Sequence, residues 1–210
     1  MPQLLAVHAD NPQPRHLARA AELLRDGAVI AFPTDSCYAL ACHLGDKEAL
    51  DRLRIIREMD ERHHLTLMCR DLSEIAKYAR VDNAQYRLLK AATPGSYVFI
   101  LEGTKELPRR VMHPKRKTIG LRVPEHPVAL ALLEELGEPL LTSTLLLPGS
   151  EDPLTEGWEI QDALAGRIEL ILDGGQCGTE PTTVVDLTGP APVLVRQGRG
   201  ALEPFGLSPE

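Results

Sequence analysis

Short apolar runs alternate with stretches of helical periodicity along the whole chain. Leu4–Val7, Ala28–Phe32, Tyr38–Cys42 and Leu65–Cys69 read as strands, the second of them ended by Pro33. Tyr97–Leu101, Thr118–Val123, Pro139–Thr144, Ile168–Leu172, Val184–Leu187 and Val193–Arg196 read the same way. Between them, Arg15–Arg25 places Leu17, Ala20, Ala21 and Leu24 on one helical face and stops at Gly27. Asp46 is placed to cap a helix whose Leu50, Leu53 and Ile56 fall three apart. Asp71 with Glu74, and Asp82 with Gln85, have the spacing of capping boxes for helices through Tyr78 and Ala92. His126–Leu136 is a further helix, with Ala129, Leu132, Leu133 and Leu136 inward and Gly137 as its stop. Glu159–Leu164 is a short one. Strands and helices mixed throughout predict an α/β or α+β fold: a single domain built on a twisted mixed β-sheet flanked by helices. The segment 147–154 carries two prolines and reads as a surface loop rather than a linker.

Composition agrees with one globular core. At 210 residues, 43% hydrophobic and 25% charged, the chain is long enough to bury a core without staples, and global disorder is excluded. Only 4% of residues are aromatic, so that core must be Leu, Val, Ile and Ala. The four cysteines (37, 42, 69 and 177) form no CxxC pair and suggest a reducing compartment. The first residues lack the pattern of a secretory signal and no long apolar run is present, so a cytoplasmic location without a membrane partner is expected. The net charge of -7 hides a division. Residues 1–122 hold 20 Lys+Arg against 15 Asp+Glu, and residues 123–210 hold 3 against 15. An anionic ligand is therefore compatible with an acidic total, and the cleft is expected to be locally basic.

Candidate chemistry comes from less familiar parts, because no phosphate loop, GxGxxG, HExxH or GxSxG motif is present. Pro33-Thr34-Asp35-Ser36 follows a strand and offers hydroxyls and backbone N–H groups for a carboxylate or phosphate. The same residues also suit a plain turn bonded to itself. From Lys105 to Arg122, seven cations face one acid, Glu106, which suits phosphate neutralisation. Arg122 stands inside the apolar run TIGLRV, where an uncompensated charge is costly. It must meet an anionic ligand or a carboxylate. Thr142-Ser143-Thr144, Thr182-Thr183 and Arg196 lie at the edges of apolar strands, where open sheets present ligand crevices. His63-His64 and Cys42-His43 lack a ligand set for zinc, and no metal site is expected. Cys37 is a candidate partly exposed thiol.

These segments together resemble the YrdC/YciO family of threonylcarbamoyl-AMP synthase-like proteins. The stretches that carry the likeness are AVIAFPTDSCYALAC (28–42), LTLMCRDLSEI (65–75), TPGSYVFIL (93–101), KTIGLRVPEHPVA (117–129), EPLLTSTLLLPG (138–149) and PTTVVDL through VRQG (181–198). The second and fifth look most like the YciO branch. The resemblance implies a YrdC-like fold with a basic cavity. It also implies a reaction joining L-threonine, bicarbonate and ATP, accompanied by Mg²⁺, into threonylcarbamoyl-AMP and pyrophosphate for tRNA threonylcarbamoyladenosine modification. Binding of double-stranded RNA or tRNA is implied too, with Arg109, Arg110, Lys115, Arg116 and Lys117 as the candidate contacts. A noncatalytic RNA-binding protein is the alternative.

By the same resemblance, Thr34, Arg122, Thr144 and Thr182 fall on the amino-acid and substrate side, and Arg57, Thr118 and Arg196 on the nucleotide side. Arg122 would grip the threonine carboxylate. No general base stands out; positioning and electrostatics would carry the rate. Two positions depart from the synthase pattern. Its Lys-x-Arg reads Arg57-Glu58-Met59 here, and its Ser-x-Asn reads Thr144-Leu145-Leu146. One cation and one amide are thereby lost, which predicts weakened or altered activity and a drier pocket.

Overall fold

The structure, a computed structural model, describes residues 1–60 and 65–208, so His63 and His64 lie outside the described residues. Every segment read as strand or helix from the pattern is found as such, with ends shifted by no more than two residues. In chain order these are β1 (Gln3–Ala6), α1 (Pro14–Arg25), β2 (Ile30–Phe32), β3 (Ala39–His43), α2 (Lys47–Arg57) and β4 (Thr66–Met68). Then come α3 (Leu72–Tyr78), α4 (Asn83–Ala92), β5 (Tyr97–Glu102), β6 (Thr118–Arg122), α5 (Pro127–Leu136) and β7 (Leu140–Thr144). The last are α6 (Gly157–Ala163), β8 (Leu170–Asp173), β9 (Thr183–Asp186) and β10 (Val193–Arg196).

The capping residues act as their spacing implies, with one difference. Asp46 accepts from Ala49 N, and Asp82 with Gln85 closes a full capping box. Asp71 accepts from Glu74 N at 2.9 Å, but the Glu74 carboxylate reaches back to Arg70 N at 2.8 Å. The box is displaced by one residue because Glu74 also pairs with the Arg70 guanidinium.

All ten strands form one mixed sheet, in the order β1-β8-β2-β3-β7-β4-β6-β5-β9-β10. Its two faces are treated differently. On one face, the apolar sides of α2, α3, α4 and α6 cover the sheet along nearly its full width, over Leu40, Leu67, Phe99, Ile119, Leu121 and Val185. On the other, α1 and α5 pack on each other and on Ile30, Phe32, Ala41, Met68, Leu140 and Leu172. None of that second cluster comes from β5, β6, β9 or β10. Side chains alternate along a strand, so β6 sends Ile119 and Leu121 into the first core and turns Thr118, Gly120 and Arg122 to the other side. Half of that second face has no helix over it, and a cleft lies there. Among the described residues no helix is long and apolar enough to cross a membrane.

Candidate functional site: a cleft over the helix-free half of the sheet

The cleft has a volume of about 740 Å³. Its floor is the alternate residues of adjoining strands: Thr66 and Met68 of β4, Thr142 and Thr144 of β7, Val98 and Ile100 of β5, Arg122 of β6 and Val184 of β9. β4 and β6 run parallel with Thr66 opposite Gly120 and Met68 opposite Arg122. Gly120 lets the neighbouring strands pack closely beneath it, because a Cβ there would stand 2.8 Å from Val98 Cγ1 and 3.1 Å from Leu65 O. The walls come from the turn after β2, the end of α2, the loop after β7 and the segment leading into β9.

Six of the seven residues placed on the substrate and nucleotide sides line this one cleft: Thr34, Arg57, Arg122, Thr144, Thr182 and Arg196. Thr118 does not line it. It is buried at the far end of β6, on the same strand face as Arg122 but four residues away, about 13 Å along a strand.

Arg122 is the most constrained of these groups. Its side chain is 7% exposed, and one Nη donates to Asp35 Oδ1 at 2.6 Å. Its Nε is buried with no hydrogen-bond partner among the described residues. Of the two alternatives drawn from the sequence, the carboxylate is present: Asp35 takes one of the five N–H groups of Arg122, and the buried Nε has no partner among the described residues. Asp35 also accepts from Ser96 Oγ and from Glu125 N. Burial alone would raise its pKa. The Arg122 charge and these hydrogen bonds outweigh that and hold the carboxyl below its usual range. The self-bonded turn is therefore only half of what residues 33–36 do. Thr34 Oγ1 does bond its own turn, donating to Cys37 O at 2.7 Å, whereas Asp35 reaches across the sheet.

At the opposite wall, Arg57 ends α2 and its Nε donates to Ser143 Oγ at 3.1 Å. Burial lowers its pKa, so this charge is incompletely solvated. Met59 does not line the cleft. It packs against the main core, with its sulfur 3.6 Å from Ser143 Oγ, and so supports the hydroxyl that holds Arg57. Leu146 does line the cleft, so only one of the two departures dries its wall. At the sheet's end, Arg196 clasps Thr182, donating through Nε and Nη2 to its carbonyl at 3.2 and 2.8 Å.

Three expectations change. Cys37 is buried rather than partly exposed, and burial pushes its thiol up to about 11 and that of Cys177 to about 12. Neither is a thiolate nucleophile near neutral pH. The cleft is not uniformly basic, since Glu151 and Asp152 line it with the three arginines. The candidate RNA cations are elsewhere, none of them lining the cleft. Arg109 and Arg110 occupy a short 3-10 turn where Arg110 donates to Gly45 O, Arg116 lies 3.4 Å from Asp186, and Lys115 and Lys117 are exposed.

Sequence reasoning missed Asp35 as the partner of Arg122, and with it Ser96, Glu151 and Asp152, whereas Ser143 was among the strand-edge hydroxyls it named. Only Arg122 carried a signal, through its need for a counter-charge. Among the described residues no group of three or more acidic, His or Cys side chains is placed to hold a metal ion.

The family model Sua5_yciO_yrdC, described as "Telomere recombination", matches residues 22–198. The chain belongs to the Sua5/YciO/YrdC family. It is 53% identical over 205 residues to YciO of Escherichia coli (strain K12), covering 98% of this chain and 100% of that one. The crystal structure of E. coli YciO matches with a TM-score of 0.95 over 98% of this chain and 100% of that one. Threonylcarbamoyl-AMP synthase of Bacillus subtilis (strain 168) is 30% identical over 194 residues, covering 91% of this chain and 55% of the synthase. P. abyssi Sua5 complexed with L-threonine has a TM-score of 0.85 at 26% identity, covering 93% of this chain and 57% of Sua5. The chain thus spans little more than half the length of those two relatives.

Proposed function

We propose that the cleft is a threonylcarbamoyl-adenylate site of the synthase type with reduced forming activity. The observation that carries this reading is the convergence of Arg57, Arg122 and Arg196 with the hydroxyls of Thr144 and Thr182 on one cleft. The unpartnered Arg122 Nε there and the L-threonine complex of Sua5 add support. In the reaction, the threonine amine takes up the bicarbonate carbon as a carbamate with loss of water. A carbamate oxygen then attacks the α-phosphorus of ATP, and pyrophosphate leaves. Mg²⁺ arrives with the ATP. Arg122 would hold the threonine carboxylate through N–H groups that Asp35 leaves free. Arg57 and Arg196 would face phosphate oxygens. No side chain need move a proton in the rate-limiting step if binding energy supplies the alignment.

The test is ATP-dependent formation of threonylcarbamoyl-AMP from labelled bicarbonate and L-threonine. Product is expected above background but low, and Leu146→Asn, which returns an amide to the cleft wall, should raise it about tenfold or more. No product from either protein would sink the synthase reading.

The exposure of Arg109, Lys115 and Lys117, which meet no carboxylate among the described residues, supports a second reading as an RNA-binding surface. Affinity for a tRNA or RNA duplex should then fall steeply with salt. Alanine at positions 109, 110, 115, 116 and 117 should flatten that slope. An unchanged slope counts against it.

A further inference from the structure

The cleft carries two carboxylates besides its three arginines. Glu151 and Asp152 lie in the loop between β7 and α6, whose base is closed by Leu154 N donating to Leu145 O at 3.2 Å. Both are exposed and line the same cleft as Arg57, Arg122 and Arg196. Neither makes an ion pair among the described residues, so their charges are not spent on the protein's own cations. Arg122 is already half-neutralised by Asp35. With Asp35 included, three cations face three carboxylates, and the charged groups around the cleft are formally balanced. Yet an anionic ligand still has a place, because Asp35 takes only one of the five N–H groups of Arg122, which lines the cleft, and the buried Nε has no partner among the described residues.

We infer that Glu151 and Asp152 select against polyphosphate, so that the cleft takes a ligand of one phosphate and one carboxylate, such as an acyl nucleoside monophosphate, in preference to a nucleoside triphosphate. The inference rests on the reading of the cleft as an adenylate site and names which member of that ligand series fits. A cleft focuses the field of its lining charges, and like charge placed against the wrong ligand is a common means of specificity. An acyl-adenylate with a free carboxylate brings two negative charges, which the Arg122, Arg57 and Arg196 guanidiniums can meet. A metal-free triphosphate brings about four, and the surplus falls in a cleft that also holds two unpaired carboxylates; bound Mg²⁺ cancels about two of these charges, so the discrimination is expected to be largest without Mg²⁺. In chemical terms the site fits a step that consumes or stores a mixed anhydride better than one that builds it from ATP.

The test uses the full chain and its Glu151→Gln/Asp152→Asn double variant. Affinities for inorganic phosphate, pyrophosphate, tripolyphosphate, AMP and ATP are measured by calorimetry, with and without Mg²⁺. The native protein is expected to bind AMP at least as tightly as ATP. The variant should bind ATP and tripolyphosphate about tenfold or more tighter, with AMP and phosphate changed less than twofold, and the gain should shrink as salt rises. Equal gains for AMP and ATP, no gain, or no binding of any of these probes by either protein would overturn the inference. So would a Mg²⁺-dependent loss of ATP affinity in the variant, which would make the two carboxylates holders of the nucleotide's metal. These readouts are equilibrium affinities and do not depend on product formation, so failure of the synthase assay leaves them decisive.

Discussion

Asp35→Ala is expected to destabilise the protein by about 3 kcal/mol or more, because it leaves the Arg122 charge buried without a counter-ion. The two side chains are 7% and 11% exposed, so solvent screens the pair only weakly. Arg122→Met should cost less, since Asp35 keeps its bonds from Ser96 and Glu125 N. The double substitution should cost less than the two singles combined, with a coupling of about 1 kcal/mol or more in urea unfolding. The pH dependence has a defined sign. The folded pKa of Asp35 lies below the unfolded carboxyl value of about 3.9, so its contribution is complete above that value. It is lost as pH falls further, through the folded pKa. Stability of the native protein should therefore fall on acidification below about pH 4 more steeply than that of Asp35→Asn. Parallel acid profiles would mean that the pair is not formed.

Gly198→Ala should open the other end of the cleft. An added Cβ would stand 2.2 Å from Pro181 O and 2.6 Å from the Thr182 carbonyl carbon, both backbone atoms that cannot rotate aside. Relief requires the 196–200 segment to move off β9. That movement would break Arg199 N to Pro181 O, Gly198 N to Thr183 Oγ1, and the Arg196 clasp on Thr182. A loss of about 3 kcal/mol is expected, with faster hydrogen exchange confined to the β9–β10 edge and weaker nucleotide binding. Gly149→Ala is the control. Gly149 has φ +77 but nothing within 4 Å of its Cβ position, so only the roughly 1 kcal/mol of left-handed strain applies. Equal effects of the two substitutions would refute the steric account.

Much of the fold was legible because its signals are local. The Leu17, Ala20, Ala21, Leu24 stripe of α1 and the alternation of Thr118-Ile119-Gly120-Leu121-Arg122 need only 3.6- and 2-residue periods to be read. Asp46 and Asp82 need only three residues of chain to find their N–H partners. The site was less legible. Family likeness brought Thr34, Arg57, Arg122, Thr144, Thr182 and Arg196 forward, and they do meet. Thr118 was carried with them but falls outside the cleft, because position along a strand decides where a side chain stands and no motif records that distance.

By itself, then, the sequence determined which segments form strands and helices, which faces they bury, and that Arg122 must have an anion. Only the tertiary structure decided that the anion is Asp35, 87 residues away, that Met59 sits beneath Ser143, and that Glu151 and Asp152 share a cleft with three arginines. The reason is physical. Periodicity and capping follow from bonds between near neighbours in the chain, whereas the charge in the cleft depends on strand order. That order places β8 between β1 and β2, and β7 between β3 and β4, and it is set by how two unequal helical layers cover one sheet.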